Sequence, residues 1–221
     1  MRTRKILFFR MIIISISVSF LIFSSIANSQ INNEKKYRLV GGACEGCGAV
    51  FEFGKEELFP VDTLPDFNNE GEKIQITGTI YQSDGKIPAE NVILYIYHTD
   101  QDGIYPTKGN EEGWAKRHGY IRGWIKTRSD GKYTFYTLKP GTYPSGSAPA
   151  HIHPVILEPD GKYYWIEEFL FNGDPLLSGN DANIKLPRGG DSYVLTLKEN
   201  DNLFIGERDI ILGKNVPGYH D

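Results

Sequence analysis

The segment Lys132-Tyr-Thr-Phe-Tyr-Thr-Leu138 alternates between apolar and polar side chains, and Ile74-Gln-Ile-Thr-Gly-Thr-Ile80 shows the same period of two. Such alternation places successive side chains on opposite faces, so both segments are predicted to be β-strands with one buried face. Val92-Ile-Leu-Tyr-Ile-Tyr97 is apolar at every position. This pattern predicts a central strand that is covered on both faces.

Further strands are predicted on both sides of these three, and only residues 111–118 look helical. The predicted strands are Ile121–Thr127, Ala150–Leu157, Tyr163–Phe171, Ser192–Leu197 and Leu203–Leu212. Asp-Gly pairs at positions 84, 102, 130 and 160 accept the positive φ that tight hairpin turns require. Many short strands separated by turn signals predict an all-β chain folded as a β-sandwich.

The N-terminus has the pattern of a secretory signal peptide. Four basic residues lie among the first ten, the apolar segment Met11–Ile26 follows, and Ala27-Asn28-Ser29 supplies small residues. We therefore expect residues 1–29 to be cleaved near Ser29 and the mature protein to be secreted or periplasmic. The alternative, an uncleaved anchor, is less favoured because Met11–Ile26 contains five serines and is shorter than the roughly 20 residues of a spanning helix.

Composition limits the partners of the remaining chain. The 221 residues carry 24 Lys and Arg against 28 Asp and Glu, a net charge of −4 with no basic cluster in the body. This argues against nucleic acid as a partner, and we expect no membrane association after signal cleavage. Residues 30–70 show no clear periodicity and are predicted to form an irregular N-terminal arm on a β-sandwich domain, residues 71–221.

Both cysteines lie in the arm, at Cys44 and Cys47. A C-x-x-C pair can be half of a zinc site, a redox pair or a local disulfide. Zinc would need two further soft ligands, and the chain has no other cysteine. Flanking glycines do not resemble the helix start of a redox motif, so in an oxidising compartment a structural disulfide is the favoured interpretation.

His151-Ile152-His153 is the first candidate for chemistry. In a strand, period two sends both imidazoles to one face with Cα atoms roughly 6.6 Å apart, close enough to share a metal ion. Two histidines on a solvated sheet face are the alternative. Tyr105 and Tyr143, each beside a turn and a proline, are further candidates, although the chain has 13 tyrosines and most tyrosines pack in cores or at rims.

The order and spacing of these motifs resemble the intradiol ring-cleavage dioxygenases, the catechol and protocatechuate group. The resemblance runs from about Gly71 to at least Pro175. The motifs that carry it are Ile76-Thr-Gly-Thr-Ile80, Asp84-Gly-Lys-Ile-Pro88, Ala89-Glu-Asn-Val-Ile-Leu-Tyr-Ile-Tyr-His-Thr-Asp100, Gly103-Ile-Tyr105, Ile121-Arg-Gly123, Asp130-Gly-Lys-Tyr-Thr-Phe135, Lys139-Pro-Gly-Thr-Tyr-Pro144, Pro149-Ala-His-Ile-His153 and Phe171-Asn-Gly-Asp-Pro175.

The resemblance implies a non-haem Fe(III) cofactor held by Tyr105, Tyr143, His151 and His153. It also implies an oxidoreductase that takes part in aromatic compound catabolism. Such an enzyme cleaves a catechol-type diol between its hydroxyls and incorporates both atoms of O₂. In this mechanism Tyr143 leaves the iron and accepts a substrate proton. Phenolate and imidazole around an open position suit redox-active iron better than the closed tetrahedral site of structural zinc.

Two positions depart from the family pattern. Ala148 stands where the family has an arginine that stabilises the electron-rich ring, and Glu168 stands where it has a glutamine. A carboxylate at this position would repel an anionic catecholate. Arg122 and Arg117 are candidates to replace the missing charge, although a surface ion pair at the start of a strand is the favoured interpretation of Arg122.

Three functions therefore remain open from the sequence. The favoured one is a secreted ferric intradiol dioxygenase, for which we take Tyr143, Arg122 and Glu168 as candidate catalytic residues. The second is a ferric protein of the same fold with lost or altered ring cleavage. The third is a binding module like the transthyretin or carboxypeptidase regulatory domains, which lack the His-x-His motif and the equivalent of Tyr105. Whether the chain forms a homo-oligomer is left open.

Overall fold

The computed structural model describes residues 36–220, so the predicted signal peptide, residues 1–29, lies outside the described part. Its α-helices are α1 (Ala115–His118) and α2 (Gly179–Ala182), and a 3-10 helix spans Cys47–Phe51. The strands are β1 (Arg38–Leu39), β2 (Val61–Thr63), β3 (Lys73–Tyr81), β4 (Ile93–Tyr97), β5 (Arg122–Lys126), β6 (Lys132–Leu138), β7 (His151–Leu157), β8 (Lys162–Trp165), β9 (Phe169–Phe171), β10 (Val194–Leu195), β11 (Lys198–Asn200), β12 (Leu203–Glu207) and β13 (Ile210–Ile211). Within residues 36–220, no helix is long and apolar enough to cross a membrane.

The strands form two sheets, which confirms the predicted all-β sandwich. The first sheet has the order β1-β8-β7-β4-β5, with β9 paired to β7 and β10 paired to β9. The second has the order β11-β12-β3-β6-β2, with β13 paired to β3. Two predicted strands were wrong in extent: Tyr163–Phe171 is divided into β8 and β9, and Leu203–Leu212 into β12 and β13. The first division follows from β7, which pairs with β8 near its end and with β9 near its start.

The central strand β4 is buried on both of its faces, as its sequence predicts. Toward the second sheet, Ile96 belongs to the main core with Phe135 and Ile152, all fully buried. On the opposite face, Tyr95 packs with Val155 in a second cluster that also contains three residues of the 3-10 helix, Cys47, Ala49 and Val50. The outer face of the first sheet is therefore covered by the N-terminal arm.

The described part of the arm is more regular than predicted. Its β1 pairs in parallel with β8 and its β2 pairs in parallel with β6, so the arm adds an edge strand to each sheet. Cys44 and Cys47 form a disulfide with their Cα atoms 5.7 Å apart, in agreement with the favoured interpretation of the pair. This crosslink joins the two ends of the turn at residues 44–47, and the 3-10 helix begins at Cys47.

The Asp-Gly turns have the predicted backbone, but most do not close hairpins. Gly85, Gly103, Gly131 and Gly161 all have positive φ. Only the turn at Gly161 joins two consecutive strands tightly, the antiparallel pair β7 and β8. The turns at Gly85 and Gly131 instead connect one sheet to the other, and Gly103 lies in the long loop between β4 and β5.

Candidate metal centre

Strand β7 sets the positions of the two candidate histidines. His151 and His153 lie on one face of β7, while Ile152 between them points into the core and is fully buried. His153 is paired in register with Tyr97 on β4, and the two rings stack with centroids 4.6 Å apart. The neighbouring central strand therefore fixes the orientation of the His153 ring.

The two tyrosines come from loops that are held together by backbone contacts. Tyr105 lies in the loop between β4 and β5, and Tyr143 lies in the loop between β6 and β7. The Gly141 N–H donates to the carbonyl oxygen of Asp100 at 2.8 Å. Thr99 Oγ1 donates to the Gly141 carbonyl oxygen at 3.0 Å. These bonds join the base of the first loop to the second.

The two loops also pack closely at Gly103. Its φ is +76°, and a Cβ atom there would lie 1.8 Å from the carbonyl oxygen of Thr142, next to Tyr143. No side chain fits at that distance, so glycine is required for the contact. Two backbone segments that are distant in sequence are thus packed directly against each other, and this packing brings Tyr105 near Tyr143.

The four predicted side chains converge at one point. Tyr105 Oη lies 2.8 Å from Tyr143 Oη and 2.9 Å from His153 Nε2. His151 Nε2 lies 3.1 Å from both Tyr143 Oη and His153 Nε2, and Tyr143 Oη lies 3.3 Å from His153 Nε2. We call these four side chains the donor cluster. The structure therefore brings together every residue that the sequence identified as a candidate metal ligand.

Each imidazole of the donor cluster uses its other nitrogen for a hydrogen bond outside the cluster. His151 Nδ1 donates to the carbonyl oxygen of Pro149 at 2.6 Å. His153 Nδ1 lies 3.0 Å from Glu168 Oε1. Hydrogen bonds at Nδ1 leave Nε2 free to bind a metal, the usual arrangement around metal-ligating histidines. Local sequence patterns did not predict this contact between Glu168 and His153.

Burial and mutual contact set the protonation of the donor cluster. Burial, together with the hydrogen bond that Tyr105 donates to Tyr143, raises the pKa of Tyr105, and burial also raises the pKa of Tyr143. Burial and the neighbouring His153 lower the pKa of His151. Burial opposes ionisation of Glu168, but its hydrogen bond and charge interaction with His153 outweigh burial and lower its pKa. At neutral pH the phenols are protonated and Glu168 is charged.

The donor set fits a metal ion. Atoms 2.8–3.3 Å apart have about the separation of adjacent ligands around one ion with bonds near 2.1 Å. Phenol oxygens and imidazole nitrogens are the donors that a redox-active transition metal accepts. Among the His, Cys, Asp and Glu side chains of residues 36–220, a single group, His151, His153 and Glu168, is clustered closely enough to hold a metal.

A cavity of about 870 Å³ opens beside the donor cluster. Three members of the donor cluster, Tyr105, Tyr143 and His153, line it, and the rest of its wall is Ala43, Cys44, Glu45, Tyr97, Trp114, Arg117, His118, Pro154, Val155, Trp165, Ile166, Glu167 and Glu168. His118 stacks on Tyr97 with ring centroids 3.7 Å apart, and its Nδ1 lies 2.8 Å from Tyr95 Oη. Sequence reasoning missed the contributions of Tyr97, Trp165 and the arm.

Of the two candidate arginines, Arg117 lines the cavity and Arg122 does not. Arg122 begins β5 and its NH1 donates to Glu52 Oε2 at 2.5 Å, so it forms an ion pair away from the cavity lining. Arg117 lies at the cavity wall and pairs with Glu45. Ala148 lies in the loop that precedes β7. Of the described residues that line the cavity, Arg117 is the only arginine.

A β-sandwich that brings two phenols and two imidazoles together beside one cavity defines a class of candidate non-haem metal proteins. Comparison with known proteins identifies the group. The profile of a dioxygenase family matches residues 59–203. This chain belongs to the intradiol ring-cleavage dioxygenase family, whose members are non-haem iron enzymes that act on catechol-type diols.

Three similar proteins illustrate the relationship. The protocatechuate 3,4-dioxygenase β chain of Burkholderia cepacia is 29% identical over 141 residues, which cover 57% of this chain and 58% of that protein. Catechol 1,2-dioxygenase 1 of Acinetobacter lwoffii is 28% identical over 156 residues, 63% of this chain and 47% of that protein. This chain thus spans about half the length of both relatives. The dioxygenase domain of a carbohydrate-binding fusion protein from Streptomyces sp. SirexAA-E has the same fold, with a TM-score of 0.55, 20% identity and coverage of 80% and 97%.

Proposed function

We propose that this protein is a secreted ferric dioxygenase that cleaves a catechol-type diol between its two hydroxyl groups with O₂. The observation that carries the proposal is the convergence of Tyr105, Tyr143, His151 and His153 beside a cavity, where the donor atom of each lies within 3.3 Å of at least two of the others. Family membership supports the reaction class. The signal-peptide pattern of residues 1–29 supports secretion, and Fe(III) is the cofactor that we assign to the donor cluster.

Tyr105, Tyr143, His151 and His153 would hold the iron, and the hydrogen bonds at the Nδ1 atoms would orient both imidazoles. Because the phenols are protonated in the absence of a cation, metal binding has to displace their protons. Bound ferric iron would withdraw electron density from the diol ring and so make a ring carbon reactive toward O₂.

Tyr143 is the cluster member best placed to exchange protons with a diol. Its Oη lies within 3.3 Å of Tyr105, His151 and His153, and its ring lines the cavity. Residues 144–147, which follow Tyr143 in the same loop, are exposed to solvent. We assign Tyr143 Oη as the acceptor of one hydroxyl proton of the substrate, while Tyr105 and the two histidines keep their places.

We assign Glu168 a role at His153 in addition to the repulsion of an anionic substrate that the sequence indicates. Its Oε1 lies 3.0 Å from His153 Nδ1, so this carboxylate oxygen faces a histidine. A carboxylate at this position fixes the ring and increases the basicity of the ligating nitrogen. We therefore assign Glu168 to the support of His153. Arg122 is paired with Glu52 and does not line the cavity, so we assign it no contact with the reacting ring.

The test is a visible absorption spectrum of the mature protein loaded with ferric iron, before and after catechol is added. We expect a tyrosinate-to-iron charge-transfer band that shifts with catechol, and a ring-opened diacid that contains both atoms of ¹⁸O₂. Tyr105→Phe and His153→Ala should lose the band. Tyr81→Phe, which changes a tyrosine on β3, is the matched control and should keep it. Full iron loading in His153→Ala would refute the ligand assignment.

A ferric protein without ring cleavage is the second candidate, and one observation favours it. Within the described chain, the cavity lining offers one guanidinium, that of Arg117, and this group is paired with Glu45. Position 148, where the family pattern has an arginine, is alanine. A band that shifts with catechol without formation of the ¹⁸O-labelled diacid would favour this second function.

A further inference from the structure

The cavity beside the donor cluster is larger than a single-ring diol requires. Its volume of about 870 Å³ lies in the upper part of the range of roughly 300–1,000 Å³ found for pockets that enclose drug-sized ligands. A catechol that chelates a metal at the donor cluster would occupy the part of the cavity next to Tyr105, Tyr143 and His153. The remaining volume is therefore available to a substituent on the ring.

The wall of this cavity includes a group of aromatic and aliphatic side chains. Tyr97, Trp114 and Trp165 contribute three rings, and Val155 and Ile166 contribute aliphatic side chains. Such walls favour a flat apolar group, because aromatic pairs gain stabilisation beyond the area that they bury.

These rings are held in place by the surrounding structure. Tyr97 is stacked between His153 and His118. The ring of Trp165 lies 3.6 Å from the guanidinium carbon of Arg188. A wall that is fixed before the ligand arrives costs less conformational entropy on binding than a wall of mobile side chains.

The charges of the lining disfavour an anionic substituent. The lining contains three carboxylates, Glu45, Glu167 and Glu168, and one guanidinium, Arg117, which is already paired with Glu45. Arg188, behind Trp165, offsets Glu167 in part. Glu168, beside the donor cluster, remains as the charge that a substrate carboxylate would meet. Like charges repel each other more strongly in a partly dry cavity than in bulk water.

We propose that this cavity selects an uncharged catechol whose ring carries a second apolar ring, and that it discriminates against diols that carry a carboxylate. The proposal rests on the proposed function, because it takes the donor cluster as the place where the diol binds. The aromatic wall provides the affinity for the second ring, and the surplus of carboxylates provides the discrimination.

The experiment compares three diols on the iron-loaded protein: catechol, 4-phenylcatechol and 3,4-dihydroxybenzoate. Dissociation constants are measured from the shift of the charge-transfer band and, independently, from tryptophan fluorescence. We expect 4-phenylcatechol to bind roughly tenfold to a hundredfold more tightly than catechol, the gain from burying one phenyl group. 3,4-Dihydroxybenzoate should bind more weakly than catechol, and added salt should narrow that gap by screening the repulsion.

Trp165→Leu tests the wall directly. It should remove most of the advantage of 4-phenylcatechol over catechol, measured as the ratio of their two dissociation constants. Trp124→Leu is the matched control, since Trp124 also lies on a strand of the first sheet but does not line the cavity. If Trp165→Leu fails to fold, as judged by thermal unfolding, Trp114→Leu tests the same wall from the residue that precedes α1.

The outcomes separate this inference from the proposed function. No shift with catechol would overturn the proposed function and this inference with it. A shift with catechol but no preference for 4-phenylcatechol, or tightest binding of 3,4-dihydroxybenzoate, would overturn the inference alone. Retention of the full preference in Trp165→Leu and Trp114→Leu would show that the assigned wall is wrong.

Discussion

Adding one methyl group at Gly103 should separate the two loops that carry Tyr105 and Tyr143. The left-handed φ of +76° costs an ordinary residue about 1–2 kcal/mol. The new Cβ would also lie 1.8 Å from the Thr142 carbonyl oxygen, whereas carbon–oxygen contacts are normally about 3.3–3.6 Å. The loops would therefore have to move apart by about 1.5 Å.

A displacement of this size is large compared with the tolerance of a metal site. Tyr105 Oη and Tyr143 Oη are 2.8 Å apart, and metal–ligand distances are normally kept within about 0.2 Å. Gly103→Ala should therefore lower the affinity for ferric iron by about a hundredfold or more, at or beyond the usual cost of changes around a metal site. The affinity is measured by chelator competition while the tyrosinate band is followed.

Gly109→Ala separates the steric effect from the backbone effect. Gly109 lies in the same loop with a φ of +90°, but a Cβ atom there meets nothing within 4 Å. This variant should lose about 1 kcal/mol of stability from the backbone alone and bind iron like the unmodified protein. Equal iron affinities in the two variants would refute the reasoning that the contact at Gly103 assembles the donor cluster.

Two further predictions concern groups around the cluster. Burial lowers the pKa of His118 to about 4, so between pH 6.5 and 4 the unfolded chain binds more protons, and stability is lost as the pH falls through that range. In His118→Phe the ring on Tyr97 can be kept. When the free energy of unfolding is measured with urea at pH 7 and at pH 5, this variant should lose about 1 kcal/mol less between the two pH values than the unmodified protein, once partial solvent screening is allowed for. The same loss in both proteins would contradict the assignment. Glu168→Gln should weaken iron binding about tenfold, because the amide keeps an acceptor for His153 Nδ1 but loses the charge. Glu167→Gln is the control, and an equal loss in both variants would mean that contact with His153 is irrelevant.

The sequence predicted well the long strands whose apolar pattern is set by the faces that they bury. β3 and β6 alternate because one face of each packs against the first sheet, and β4 is apolar throughout because both faces are covered. β1 and β2 could not be predicted, since strands of two or three residues carry no period and exist only because a neighbouring strand is there to pair with. Their positions are properties of the folded protein.

The donor cluster was predictable for a related reason. His151 and His153 are placed by the period of a strand, and the two tyrosines follow turn motifs whose order is shared with a known family. The contact of Glu168 with His153 was not predictable from local pattern. It depends on the point along β7 at which the chain passes from β8 to β9. The sequence pattern predicted a single continuous strand there, so this point was not visible in it.

The apolar pattern of β4 links the fold to the site. Ile96 points into the core between the two sheets, so packing of the sheets explains why one face of β4 is apolar. The other face carries Tyr95 and Tyr97, and the arm covers it by packing Cys47, Ala49 and Val50 over Tyr95. Since the same arm provides Ala43, Cys44 and Glu45 to the cavity wall, burying the second face also builds one side of the cavity. A strand that is apolar on both faces therefore indicates a cover over the outer face of the sheet, and in this protein that cover forms part of the candidate substrate cavity.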